Sequence, residues 1–139
     1  MTIPRLLVCG SRSVDHTSKE EYIKVAANLS RICFERGLIN REYGIWIPTI
    51  ILINGKCPTG GIDRIAEDWA ISNWCVVEEY PPLPEDIRQW GFGIAANMRN
   101  QRMIDEGKPD LVVAFRGGSG TRDMVDRARR AGVEVAEIS

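Results

Sequence analysis

Histidine is almost absent from this sequence, and cysteine is sparse. Among its 139 residues are one histidine, His16, and four cysteines, none of them in a Cys-x-x-Cys pair. Because zinc sites need closely spaced cysteines and histidines, we expect no metal site. Cys9 and Cys33 lie within apolar patterns, which predicts reduced thiols in the core of a cytosolic protein. His16 lies in a polar stretch and is interpreted as an ordinary exposed residue.

Net charge is also nearly absent. The formal net charge is −1 at pH 7, which argues against broad binding to nucleic acid or to an anionic membrane surface. No apolar run reaches the roughly 18 residues that a membrane-spanning helix needs, and no signal peptide precedes Arg5. We therefore expect a cytoplasmic protein without a membrane partner.

What the sequence does have is a regular alternation of short apolar runs and helical patterns. Five runs are predicted to be strands: Ile3–Cys9, Thr49–Ile53, Cys75–Tyr80, Leu111–Phe115 and Val133–Ile138. Apolar residues at three- and four-residue steps predict helices between them. This alternation indicates a Rossmann-like α/β fold, with a doubly wound, mainly parallel sheet of about five strands and helices on both faces. One domain is expected to cover residues 1–139.

The most informative stretch is Leu111–Asp123, which reads LVVAFRGGSGTRD. An apolar strand runs through a glycine-rich turn into a helix, so backbone N–H groups and the positive end of a helix meet at one point. That arrangement favours an anion, most often a phosphate group. A plain strand-to-helix turn is the alternative. The candidate phosphate contacts are Gly117, Gly118, Ser119, Gly120 and Thr121.

Two more glycine-bearing loops follow predicted strands, at the sheet edge where open α/β folds bind ligands. The candidate residues in these loops are Gly10, Ser11, Arg12, Gly60 and Gly61. Asp63, just beyond the second loop, either stabilises the first turn of a helix or accepts a hydrogen bond from a ribose hydroxyl. Arg99 and Asn100 lie in the middle of a later predicted helix.

Two segments allow more than one interpretation. Three prolines between residues 81 and 84 predict a loop that continues through Trp90 and Phe92. These two aromatic residues either wall a slot for a base or form a hydrophobic plug over the sheet, and we favour the plug. Ile39–Pro48 is interpreted as a loop packed under the first helix, with a patch for self-association as the alternative.

Four motifs together carry a family resemblance. They are GSR at Gly10–Arg12, GGID at Gly60–Asp63, RNQRM at Arg99–Met103 and GGSGT at Gly117–Thr121. In this order they resemble the SLOG superfamily, which includes the Lonely Guy phosphoribohydrolases and the Smf/DprA domains, and within it the small YspA-like proteins. The resemblance implies a nucleotide-derived ligand at the carboxyl ends of the strands, with its phosphate on the glycines, Arg99 beside it, and a homodimer or higher oligomer.

The sequence departs from the Lonely Guy pattern, Pro-Gly-Gly-x-Gly-Thr-x-x-Glu, at two positions. Arg116 replaces the proline, and Met124 stands where the pattern has its glutamate. Asp123 is one residue earlier, which turns it about 100° around a helix. There we expect it to satisfy N–H groups at the helix end.

Three hypotheses about function follow. The first is a module that binds a nucleotide or nucleotide-derived molecule such as AMP, ADP-ribose, an NAD-related compound or a cyclic nucleotide. The second is a hydrolase that cleaves an N-glycosidic or phosphate bond in such a ligand, for which Asp63 and Asp123 are the catalytic candidates. The third is an interaction protein with a vestigial pocket. We favour the first, because Met124 cannot act as an acid or a base.

Overall fold

The structure is a computed structural model that describes residues 2–40 and 47–139. Most of the segment from Ile39 to Pro48, including Trp46, lies outside the described residues. The helices are α1 Lys19–Glu35, α2 Gly61–Ser72, α3 Pro84–Trp90, α4 Phe92–Asp105 and α5 Ser119–Arg130. The strands are β1 Arg5–Cys9, β2 Ile39–Asn40, β3 Ile47–Pro48, β4 Ile51–Asn54, β5 Val76–Glu79, β6 Leu111–Ala114 and β7 Glu134–Glu137.

Five strands form one parallel sheet in the order β5-β4-β1-β6-β7, and β2 pairs with β3 in a short antiparallel ladder. Leu7 of β1 is in register with Ile53 of β4 on one side and with Val112 of β6 on the other. The chain builds outward from β1 first in one direction and then in the other. The strand order therefore reverses between β1 and β6, and the crevice at such a reversal is where α/β sheets bind ligands.

The sheet is covered on both faces, as predicted. Alternate residues of each strand point to opposite faces, and two core clusters result. Strand side chains on one face pack against α1 and α2: Leu6, Val8, Leu52, Leu111 and Val113. Those on the other face pack against α4 and α5: Leu7, Cys9, Ile53, Val112 and Ala114. Burial on both faces explains why the three central strands, β4, β1 and β6, carry continuous apolar runs rather than alternating ones.

The predicted strands are confirmed, with ends that differ by one or two residues, as is normal for element boundaries. Ser18 caps α1, because its hydroxyl accepts the N–H of Glu21 at 3.3 Å. Cys9 and Cys33 are buried, and burial raises the pKa of each thiol to about 12. Among the described residues, no helix is both long and apolar enough to cross a membrane.

The loop predicted through Trp90 is wrong, because Pro84–Trp90 is a helix, α3. Proline is tolerated at the first turn of a helix, where its missing N–H would have no partner in any case. Pro84 occupies that position, and Glu85 and Asp86 follow in the first turn, where negative charge is favoured. The prolines therefore begin a helix here rather than extending a loop.

Candidate functional site

Three loops meet at the carboxyl edge of the sheet, at the ends of β4, β1 and β6. The N–H of Ser11, after β1, donates to the carbonyl of Arg116, after β6, at 2.8 Å. The carbonyl of Ser11 in turn accepts the N–H of Ile62, at the start of α2, at 3.0 Å. The loop after β1 thus joins the other two, and the motifs predicted to share a site are neighbours.

Close packing at this edge requires glycine at two positions. A Cβ on Gly10 would lie 2.7 Å from Cγ1 of Ile62. A Cβ on Gly61 would lie 2.5 Å from Cα of Arg12, and the φ of Gly61, +58°, already disfavours other residues. Gly10 and Gly61 therefore let the loops approach one another, and a direct ligand contact is not needed to explain them.

The glycine-rich loop after β6 leads into α5 with its backbone open to solvent. A Cβ on Gly118 or Gly120 would have no atom within 4 Å, whereas one on Gly117 would collide with the side chain of Thr121. Gly118 is the N-cap of α5, and no side chain of the described residues caps the helix. The N–H groups of Ser119, Gly120 and Thr121 have no acceptor in the described part of the chain. Three free donors and the positive helix end therefore face solvent together.

Two exposed arginines, Arg12 and Arg116, lie in the loops on either side of this helix start. Neither guanidinium forms an ion pair or a hydrogen bond with a residue in 2–40 or 47–139. The guanidinium carbon of Arg12 lies 6.0 Å from the centre of the Phe92 ring, at the outer limit of a cation–π contact. Positive charge without a carboxylate partner therefore accompanies the free N–H groups.

The two aromatic residues that were predicted to act together are separated by the structure. Phe92 is partly buried beside Arg12, whereas Trp90 is 51% exposed, and α3 has no buried residue. The plug interpretation is wrong for Trp90, because a plug over the sheet would be buried. Phe92 remains a candidate wall for a base.

Asn100 ties α4 to the start of α5. Its side chain is 4% exposed, and its amide nitrogen donates to the carbonyl of Gly120 at 3.3 Å and to the carboxylate of Asp123 at 3.0 Å. Its amide oxygen accepts the Nε–H of Arg99 at 3.2 Å. The amide thus bonds to the loop through a backbone carbonyl, which makes Asn100 a residue that positions the loop.

Arg99 lies at the ends of β4 and β5. It was predicted to lie beside the glycine-rich loop, but it reaches that loop only through the side chain of Asn100. It is 9% exposed, and its Nη1 donates to the carbonyls of Gly55 and Tyr80. Burial lowers the pKa of Arg99, and the nearby negative charge of Asp63 counteracts part of that effect. The side chain therefore holds two strand ends against α4.

Asp63 is a partly buried carboxyl at the same strand end. Its Oδ2 accepts the backbone N–H of Cys57 at 3.1 Å. Burial raises its pKa above 3.8, although the charge of Arg99 and the Cys57 hydrogen bond both act to lower it. Perturbed carboxyls of this kind cluster at functional sites, and structural networks produce them as well.

The second acidic candidate, Asp123, does not satisfy the helix-end N–H groups as predicted. Its Oδ2 accepts from the Nε–H of Arg127 at 2.8 Å and from Asn100, so it faces α4. An arginine one turn along the helix and a buried amide compete for the carboxylate, and both donors lie on that side. Met124, beside it, is 1% exposed and points into the core.

Sequence reasoning missed Gly55 and Asn54 and misjudged His16. Asn54 is fully buried and bonds to the carbonyl of Asp63 and the N–H of Lys56. Gly55 directly contacts the Arg99 guanidinium. His16 is partly buried with its ring against Gly60, so its interpretation as an ordinary exposed residue is wrong. The sequence signal for Asn54 was a polar residue directly after an apolar strand.

A shallow cleft of about 380 Å³ lies at the start of α1 and is lined by His16, Thr17, Ser18, Lys19, Tyr22 and Ile23, which are not residues of the three loops. In residues 2–40 and 47–139, no group of three or more His, Cys, Asp or Glu side chains is placed to hold a metal ion. Comparisons of the chain with protein-family models, with curated proteins and with solved structures found no match.

Proposed function

We propose that this protein binds a nucleotide or nucleotide-derived small molecule, whose phosphate group lies at the start of α5. The observation that carries the proposal is the set of three free N–H groups at residues 119–121, next to the open backbone of Gly118. N–H groups at a helix N-terminus bind phosphate through hydrogen bonds and through the helix dipole. Gly118 and Gly120 allow an anion to approach the backbone closely.

The surrounding charges support an anionic ligand. Arg12 and Arg116 are exposed cations without carboxylate partners in the described chain, and guanidinium groups bind phosphate with paired hydrogen bonds. The site also lies where the strand order reverses. Phe92, beside Arg12, offers a ring against which a base can stack.

The resemblance of the motifs to the SLOG superfamily supports the same ligand class. Under this proposal the protein is a cytoplasmic SLOG-like module of the YspA-like type. A homodimer, which the resemblance also implies, is tested by sedimentation velocity.

The side chains near the proposed phosphate site favour binding of the ligand without its cleavage. Cleaving an N-glycosidic bond needs a carboxylate near the sugar. Met124 is in the core, and the Asp123 carboxylate is engaged by Arg127 and Asn100. Asp63 remains, but its carboxylate accepts the backbone N–H of Cys57 and so organises the end of β4.

The test is a titration of the purified protein with AMP, ADP-ribose, NAD and cyclic AMP, followed by calorimetry and thermal shift. A ligand present at 100 times its Kd should stabilise the folded protein by about 2.7 kcal/mol. Native mass spectrometry of the purified protein would reveal a ligand that co-purifies. If none of the four compounds binds and no ligand co-purifies, the proposal is wrong.

Replacing Gly118 separates binding from folding. Gly118→Asp places a carboxylate at the N-cap of α5, where aspartate is among the preferred residues, so we expect an unchanged or slightly raised melting temperature. The same carboxylate competes for the free N–H groups and repels phosphate, so binding should be lost. Gly118→Ala is the matched control, because its Cβ meets no atom within 4 Å and the N–H groups stay free. Equal affinity in both variants would show that the loop is only a turn.

A further inference from the structure

We infer that a second copy of this chain docks on the apolar surface around Trp74, with Trp74 of each protomer inserted into a groove on the other. This surface, called here the Trp74 surface, consists of Ile3, Ile71, Trp74 and Val76 and the groove beside them. It lies at the amino ends of the strands, whereas the glycine-rich loops lie at the carboxyl ends. The inference goes beyond the proposed function and does not depend on a ligand.

Trp74 occupies a backbone position that usually belongs to glycine. It follows Asn73, the C-cap of α2, and its φ of +58° lies in the left-handed region, which is strained for a bulky residue. Its N–H donates to the carbonyl of Ile71 at 3.0 Å, and the N–H of Cys75 donates to the carbonyl of Ala70 at 2.8 Å. These two bonds form a Schellman motif, in which glycine is the common residue at this position. The turn would therefore form more easily without the tryptophan, and strain of this kind points to a function for the side chain.

The side chain of Trp74 projects into solvent among other apolar groups. It is 82% exposed, the largest exposed fraction of any large apolar side chain in residues 2–40 and 47–139. Ile71, in the same turn, is exposed as well, and so are Ile3 and Val76, which line the groove together with Trp74. Contiguous exposed apolar surface, unlike single scattered residues, marks an interaction site.

The groove suits one large apolar side chain. Its volume is about 250 Å³, below the roughly 300–1,000 Å³ of pockets that hold small molecules. None of the described residues that line it is charged. Nucleotides and anionic membranes bind through cationic side chains, so charge complementarity favours an uncharged occupant instead.

A second copy of the chain supplies such an occupant, because the projecting side chain and the groove adjoin on one surface. A two-fold axis between them places each Trp74 in the groove of the other protomer, so both contacts form at once. This is the self-complementary arrangement of an isologous dimer. Since the groove walls carry no charge, the pairing also brings no like charges together there.

The size of the Trp74 surface sets the strength of the dimer. A tryptophan buries up to about 250 Å² when it is completely covered, so the exposed 82% of Trp74 offers roughly 200 Å². A standard interface buries about 800 Å² on each partner, and the groove walls with Ile3, Ile71 and Val76 supply only part of the difference. We therefore expect a reversible dimer with a Kd in the micromolar range.

Sedimentation velocity of the full chain at about 1–200 µM is the test. The wild type should shift from monomer towards dimer as its concentration rises. Trp74→Gly should stay monomeric without a lower melting temperature at the dilute end, because glycine fits the left-handed backbone. Thr49→Arg, at an exposed residue of the groove, should also stay monomeric, because it places a charge where Trp74 inserts. A wild type that is monomeric throughout, or a dimer that persists in either variant, would overturn the inference.

Trp90→Ala is the matched control. Trp90 is exposed as well, but it lies on α3 and does not line the groove. This variant should dimerise as the wild type does. If Trp90→Ala is monomeric and Trp74→Gly still dimerises, the interface lies on α3 and the inference is wrong. None of these measurements uses a nucleotide, so failure of the proposed function would leave their outcome unchanged.

Discussion

Met124 shows how burial decides what chemistry a position can support. It lies three residues after Thr121, where the Lonely Guy pattern has a glutamate, yet it packs from α5 against the sheet with 1% of its surface exposed. A carboxylate at this position would be inside the core, away from the open N–H groups of the loop. Replacing Met124 by an acid would therefore not restore the pattern, because position 124 is not exposed to a ligand.

We expect Met124→Glu to destabilise the protein by at least about 2 kcal/mol, because it buries a polar group without a partner. Met124→Leu, which nearly conserves volume, should cost less than about 1.5 kcal/mol. Urea denaturation of both variants measures the difference. A stable Met124→Glu variant that gains hydrolytic activity would contradict the buried placement.

Incubation of the wild-type protein with AMP should release no adenine above the rate without protein. The reason is that the acid nearest the glycine-rich loop, Asp123, is bonded to Arg127 and Asn100. Chromatography of the products measures the release. Protein-dependent adenine that disappears in Asp63→Asn or Asp123→Asn would instead establish the hydrolase.

Single residues were the least predictable part of the site. The sequence identified the loops that meet, because glycines after apolar strands mark the carboxyl edge of a parallel sheet. It did not predict that Arg99 would bond to Gly55 and Tyr80. The direction of a long side chain on a helix depends on which carbonyls neighbouring elements leave unpaired, and that is a property of tertiary packing.

At the scale of elements, α5 depends on α4 for its position. The Asn100 amide reaches across to the Gly120 carbonyl and the Asp123 carboxylate, and Arg127 adds a bond to Gln101. The first turn of α5 thus has a fixed position relative to α4, although no side chain caps it. A fixed position keeps the free N–H groups in place for an anion at little entropic cost.

Asn100→Ala should lower the free energy of unfolding by about 1–3 kcal/mol, because buried partners lose their donor. It should also speed amide hydrogen exchange at residues 119–121 and weaken nucleotide binding. Gln101→Ala is the control, since Gln101 is less buried and contacts Arg127 rather than the loop. If exchange at the loop is unchanged in Asn100→Ala, the tether does not position it.

The helix α3 could not be predicted from its apolar pattern. Residues 84–90 bury no side chain, so the helix has no amphipathic stripe to detect. Its only sequence signals were Pro84 and the two acids that follow. These signals are equally compatible with a loop.

For the whole molecule, the fold was predictable because its signal is repeated. Each apolar strand is followed by a helical pattern, and strands such as Leu111–Ala114 are buried on both faces. The order of strands was not predicted, since the same alternation fits several orders. Pairing of β1 with both β4 and β6 comes from packing between segments far apart in the chain.

The central place of β1 has a consequence for synthesis. Leu6 pairs with Leu111, more than one hundred residues later. A chain leaving the ribosome has β1, β4 and β5 with helices α1 and α2 before the segments that cover the other face exist. Until β6 emerges, one edge of β1 is unpaired, and until α4 and α5 emerge, Leu7 and Ile53 lack the helices that cover them. Each new molecule therefore passes through a half-covered sheet prone to aggregation, and a pause in translation before β6 prolongs that state.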